Sequence, residues 1–247
     1  MRIIQHRLVQ ILAALCLVLT VEAQQVDDAT LIERLRANRS LFPEWDHGPS
    51  LRKRVQVQGS DITYQPIVSE TSLTCDECAE PNNYDHPEVK RVAKDADLVI
   101  VGHVARNISA LTEKEAFIFT DSEVVIDQLW KRHLPAKIQY SVGSEITVAR
   151  PGGTMRIEGH NIKALPSNLV PLRVDGRYLL FLKFLSSSNS FVPIGFEGFS
   201  LEDNVITSLQ TSRRPAMRNL LNNPWLFLET MRVSVDKSSS ETLSDQR

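Results

Sequence analysis

The chain has 247 residues, a formal net charge of -2, and 42% hydrophobic against 23% charged residues, proportions that exclude a disordered or membrane chain and fit an ordinary globular one. The near-neutral balance also argues against a nucleic-acid partner, because neutralising phosphates takes clustered Lys and Arg. Only short basic runs occur, Arg52-Lys53-Arg54 and Arg213-Arg214, and both read as solvated basic turns.

Arg2, His6 and Arg7 precede an apolar run from Leu8 to Val21, and Val21-Glu22-Ala23 supplies small or aliphatic residues before Gln24. This pattern predicts a secretory signal peptide over residues 1–23, and hence a secreted or periplasmic protein. The run falls short of the roughly 20 residues that cross a bilayer, so no stable membrane anchor is expected after cleavage. Leu12-Ala13-Ala14-Leu15-Cys16 is similar to a bacterial lipoprotein cleavage box, but Leu15 stands where that box has a small residue, which argues against lipidation. Without Cys16, only Cys75 and Cys78 remain, and an oxidising compartment favours a bond between them over free thiols.

From Asp27 to Ser40, Leu31, Ile32 and Leu35 form an apolar stripe, with acidic residues at the start and arginines near the end, and this predicts a short amphipathic helix. In the mixed stretch Phe42 to Pro66, the alternation of Val55 and Val57 predicts a strand over Arg54–Gln58. Residues 67–87 carry the cysteines and Glu80-Pro81-Asn82-Asn83, and read as a loop. Pro87 then suits the first turn of a helix with Val89, Val92 and Ala93 at core spacing.

Leu98-Val99-Ile100-Val101 is apolar at every position, so the strand it predicts needs cover on both faces, and Gly102 marks a bulge or bend in it. Asn107 to Lys114 reads as a polar connection and Glu115 to Leu129 as a second strand with an irregularity at Asp121-Ser122. Ser144 to Arg150 predicts a third strand, with Thr154 to Glu158 returning as its hairpin partner after a turn at Gly152 and Gly153. A second turn at Gly176 feeds the apolar strand Arg177 to Phe184, and Phe191 to Phe199 with Val205 to Leu209 reads as a terminal hairpin. Ala216 to Val233 has helical spacing broken near Pro224, and Ser234 to Arg247 reads as a disordered polar tail.

Short strands separated by Gly, Pro and Asp turns, with no crossover helix between them, predict a mainly β fold: a small antiparallel barrel with helical N- and C-terminal extensions. The expected organisation is a helical and irregular extension over 24–95, the barrel over 96–210, and a C-terminal helix and tail over 211–247. Ala96-Asp97-Leu98-Val99-Ile100-Val101-Gly102-His103-Val104, Pro151-Gly152-Gly153 and Val174-Asp175-Gly176-Arg177-Tyr178-Leu179-Leu180-Phe181-Leu182 resemble landmarks of uncharacterised secreted bacterial proteins with an oligonucleotide/oligosaccharide-binding (OB) type barrel. They are also similar to the netrin-like barrel of the tissue inhibitors of metalloproteinases. The resemblance spans residues 75–209 and implies the OB-like fold. In those inhibitors an N-terminal Cys inserts into the protease and its free amine binds zinc. Here Cys75 lies deep in the chain and the disulfide framework is missing, so that route would require cleavage just before Cys75.

Cys75-Asp76-Glu77-Cys78 is the sharpest local feature. A structural disulfide is the leading reading. A redox pair would need a stabilised thiolate, which Asp76 and Glu77 oppose, and a zinc site would have to recruit His86 and His47 at unfamiliar spacing. His103, His133 and His160 are scattered and fit no metal motif, and no Gly-x-Ser-x-Gly elbow nominates a nucleophile. Phe117, Phe119, Tyr178, Phe181, Phe184 and Phe196 suit a core better than a stacking platform for bases or sugars. Asn38-Arg39-Ser40 and Asn107-Ile108-Ser109 match the glycosylation acceptor. The sequence therefore predicts no catalytic or cofactor-binding residues and no resident metal. It points to a secreted, non-enzymatic binding module for a protein or small ligand, against two alternatives: a thiol-redox or zinc protein centred on Cys75 and Cys78, and a structural component of a cell-surface assembly.

Overall fold

The computed structural model describes residues 28–65, 87–195, 197–202, 205–210 and 223–244. The expected leader, the Cys75 and Cys78 loop, and Ala216 to Asn222 lie outside these residues. In chain order the elements begin with α1 (28–38), α2 (Leu51–Gln58), β1 (Ile62–Tyr64), α3 (Pro87–Asp95), β2 (Leu98–Leu111) and β3 (Ile118–Arg132). They continue through β4 (Glu145–Pro151), β5 (Gly153–Ile157), β6 (His160–Ala164), β7 (Arg177–Leu185), β8 (Ser190–Pro193), β9 (Phe199–Glu202), β10 (Val205–Ser208) and α4 (Pro224–Ser244).

The two all-apolar runs are sheet neighbours: Leu98, Val99, Ile100 and Val101 pair antiparallel with Leu182, Phe181, Leu180 and Leu179. Because side chains alternate along a strand, these runs feed two cores. Leu98, Ile100, Leu180 and Leu182 point into one with Val124, Ile126, Val148 and Phe191. Val99, Val101, Leu179 and Phe181 point into the other, where Val89, Val92 and Ala93 of α3 and Phe227, Met231 and Val235 of α4 cover them. All four residues of the first run are at most 2% exposed, which is how a strand without polar positions becomes stable.

The larger sheet is mixed and partly closed. β2 pairs with β3, β3 with β4, β4 with β8, β8 with β7, and β7 with β2, so five strands form a circuit from which β9 and β10 extend along β7. The expected wholly antiparallel character does not hold: β4 meets β8 in parallel through Val148 and Phe191, and β1 lies parallel to β6.

Several local expectations are corrected. Arg54–Gln58 is part of a helix, because Ser50 caps its start by accepting from the Lys53 amide and Gly59, at φ +58°, closes its end with a bond to Val55 O. Val55 is buried while Val57 is exposed, the opposite of what strand alternation predicts. β2 runs on through Asn107 to Leu111, since Ser109 finds Thr120 across the strand at 3.0 Å and Asn107 donates to Leu172 O. Register shifts fall at Val99/Ile100, Val101/Gly102 and Val104/Arg106, whereas the pairing through Asp121 and Ser122 is continuous.

The strand after Gly153 is β5, and it leaves β4 to pair with β6 in a separate three-stranded sheet of order β1-β6-β5. Glu158 and Gly159, both at positive φ, make the tight two-residue turn that joins them. β1, from the expected N-terminal extension, completes this sheet, and Phe42, Trp45, Leu51 and Val55 share its core with Phe117 and Phe119. The run Phe191 to Phe199 is divided between β8 and β9. The expected disordered tail is instead helical as far as Ser244, with Ser234 and Val235 buried.

Candidate functional site

Cys75, Cys78 and His86 lie outside the described residues, His47 is exposed, and no group of three or more His, Cys, Asp or Glu side chains among the described residues is placed to hold a metal ion. His103 sits 2.8 Å from Asp127 through Nδ1, and His160 lies 3.9 Å from Asp61. Phe117, Phe119, Phe181 and Tyr178 are core residues and Phe184 is half-buried against Phe191, so no exposed stacking face forms from these five; Phe196 lies outside the described residues.

The glycines do structural work. A Cβ on Gly102 would stand 2.5 Å from Val125 O, so β2 and β3 approach as closely as they do only without a side chain there. Gly152 and Gly153, at φ +99° and +154°, turn the chain out of the large sheet into β5. Gly176 is buried at the turn into β7 and bonds Arg173 O.

Neither sequon is an open acceptor. Asn38 is wholly buried, with Nδ2 3.0 and 3.1 Å from the two carboxylate oxygens of Asp121 and Oδ1 accepting from Ser190. Asn107 is half-buried inside β2 with Nδ2 bonded to Leu172 O. Around Asn38, Arg34 reaches both Asp121 and Glu123, and Arg106 grips Glu123 with two bonds of 2.6 Å. Burial pushes the Asp121 carboxyl up to about 6 against the pull of Asn38 and Arg34, while the Arg106 hydrogen bonds hold Glu123 below its ordinary value. This network fastens α1 to β3. Its members are committed to one another across α1, β2 and β3, so it is read as structural.

Space for a ligand lies elsewhere, in a cleft of about 670 Å³ where the end of α3 meets the ends of β3, β7 and β8. This is within the usual size range of small-molecule sites, whereas the groove beside Trp130, at about 130 Å³, is well below it. The local folding that opens the cleft is specific. Asp97, the residue before β2, bonds Leu182 O through its amide, Phe184 N and Lys183 Nζ through its carboxylate, and His133 N through its carbonyl. After β8, Ile194 N donates to Phe181 O, and Gly195 at φ +69° lets the chain pass Val92 where a Cβ would meet Cγ2 at 2.5 Å.

Lys131 enters the cleft from β3. Its residue is only 9% exposed, and its ammonium donates to Ala93 O at 2.6 Å and Lys94 O at 3.0 Å, the last carbonyls of α3. Burial lowers its pKa; Asp97 opposes that shift, Lys183 adds to it, and Asp95 opposes it. Lys183 approaches from β7 with bonds to Asp97 Oδ1 at 2.9 Å and Asp95 O at 3.3 Å. Arg91 and Lys94 stand on the exposed face of α3 at the mouth, with His133 beside them.

Of these, only His133 stood out in the sequence, and then as an isolated histidine. Lys183 follows the apolar run Tyr178–Leu182 in β7, a signal that could have raised it, because a lysine beside core positions needs a buried partner or an open cleft; Lys131, next to Arg132 in a strand with several charges, gave no such signal. Neither a scan against protein-family models nor a search of curated proteins gives a match to this chain.

Proposed function

We propose that this chain is a secreted, non-enzymatic binding module: an OB-like barrel with helical attachments whose ligand site is the cleft between α3 and the ends of β3, β7 and β8. The strand circuit β2-β3-β4-β8-β7, with its one parallel contact between β4 and β8, supports the barrel reading. Secretion rests on the basic and apolar pattern of residues 1–23. The observation that carries the binding reading is the cleft itself, a concave space of ligand size lined by side chains from separate elements that core packing and helix capping hold in place. α1 and α4 pack in part on the chain's own sheets, through Leu35 and through Phe227, Met231 and Val235, while Ile32 and Trp225 remain exposed; this packing favours the binding module over a docking appendage.

The test is chemical-shift mapping of the full-length secreted protein against neutral sugars, free amino acids and sugar phosphates. At least one class should shift the amides of residues 91–97, 131–133, 183–184 and 194–195 while being recovered unchanged. Binding confined to other surfaces, binding by none of the three classes, or turnover of the bound probe would overturn the reading.

A further inference from the structure

Resting on the cleft as the binding site, the geometry points to a phosphate monoester dianion, carried on a small polar molecule, as its ligand, held between Lys131 and Lys183 with Arg91 and Lys94 at the mouth.

The first reason is charge. Arg91, Lys131 and Lys183 face Asp95 and Asp97, so cations outnumber carboxylates in one concavity of a chain whose overall formal charge is -2. A cleft with low-dielectric walls focuses such a field on whatever enters it, and a phosphate monoester carries close to two negative charges at neutral pH.

Donor arithmetic is the second. An ammonium has three N–H donors. Lys131 directs two at Ala93 O and Lys94 O, and Lys183 directs two at Asp95 O and Asp97 Oδ1, so these bonds leave one donor on each. Both ammonium groups are fixed by their other bonds, which lowers the ordering cost of binding. They repel each other across the cleft, and an anion between them relieves that repulsion. Lysines as compact point charges suit a phosphate, which accepts from several directions.

Size is the third. A cleft of about 670 Å³ is much larger than one phosphate group, so the anion is the anchor of a larger polar molecule and not the whole ligand.

The experiment is calorimetric titration of the full-length secreted protein with glucose 6-phosphate, inorganic phosphate and glucose, at low and at physiological salt, together with the Lys183→Gln and Arg91→Gln variants. Both substituted side chains are exposed, and thermal unfolding of each variant reports whether the fold is kept. Glucose 6-phosphate should bind, more weakly as salt rises, and each variant should lose about tenfold in affinity with an unchanged unfolding temperature. Glucose should not bind, and inorganic phosphate should bind more weakly than the ester. Equal binding of glucose and glucose 6-phosphate, or full-strength glucose 6-phosphate binding by both variants, overturns the phosphate assignment while leaving a cleft that binds. If amino acids or neutral sugars shift the cleft amides and glucose 6-phosphate does not, the assignment fails and the binding reading stands. If nothing shifts them, both fail.

Discussion

Asn38 Nδ2 donates to both carboxylate oxygens of Asp121, at 3.0 and 3.1 Å, and so ties the last residue of α1 to the first part of β3 across 83 positions of sequence. Both residues are wholly buried, which makes the pair sensitive to loss of either member. Asn38→Ala would strip the donor from a buried carboxylate, leaving Arg34 as its charged neighbour. The expected cost is about 1–3 kcal/mol, measured by chemical denaturation. An Asn38→Ala protein as stable as the parent would mean that water replaces the amide and that α1 is held mainly by Leu35.

The same carboxyl sets a pH dependence whose sign is unusual for an acid. Burial raises Asp121 from 3.8 to about 6, so keeping it ionised in the folded state costs stability above that value, and the cost disappears as pH falls from about 6 towards 3.8. A shift of roughly two units corresponds to about 3 kcal/mol. Glu123 runs the other way: its lowered value contributes stability above the unfolded carboxyl pKa, and this is lost as pH falls through the folded value. Asp121→Asn removes the first contribution alone. The parent should therefore gain stability relative to Asp121→Asn between pH 7 and pH 4, as read from paired denaturation curves, and a parallel pair of pH profiles would show that Asp121 titrates normally.

Val99 and Leu180 are both wholly buried, but they face different cores, Val99 beneath α3 and α4 and Leu180 inside the strand circuit. Aspartate at either position would bury an unpaired charge at a cost of several kcal/mol against a typical total of about 5–15. Neither Val99→Asp nor Leu180→Asp should give a cooperative unfolding transition. The Cys75→Ser, Cys78→Ser double variant should still fold, because a bond between residues so close in sequence would close only a tiny loop. Thermal unfolding and secretion yield compare the three proteins directly.

Two glycines separate close approach from backbone conformation. At Gly102 a methyl group would stand 2.5 Å from Val125 O and 2.8 Å from Val124 Cγ1, so Gly102→Ala must push β2 from β3 in the middle of the sheet. About 3 kcal/mol of destabilisation is expected, the upper end for an added buried methyl. Gly59 has open space around it but φ +58°, so Gly59→Ala should cost about 1 kcal/mol through the left-handed backbone alone. Equal losses at the two positions would mean that the strands part without strain.

Periodicity and punctuation carry a good deal of this protein. Four consecutive apolar residues at Leu98–Val101 and a matching run at Leu179–Leu182 can be stable only when covered on both faces, and that requirement is local enough to read without coordinates. The helix after Pro87, with Val89, Val92 and Ala93 buried, is legible for the same reason. Where two local patterns compete, the sequence alone does not decide: Val55 and Val57 alternate as a strand would, yet the serine cap at Ser50 and the left-handed Gly59, immediately flanking the segment, make Leu51–Gln58 helical. Strand partners are long-range choices. β5 takes β6 and not β4 because the Glu158-Gly159 turn folds it back, and β1 then joins from about 100 positions earlier. The cleft is the least legible of all. Lys131, Lys183 and Asp97 are far from one another in the chain, and they become one electrostatic site only when β2 lies between β3 and β7, because Coulomb interactions act through space and depend on a burial that tertiary packing creates.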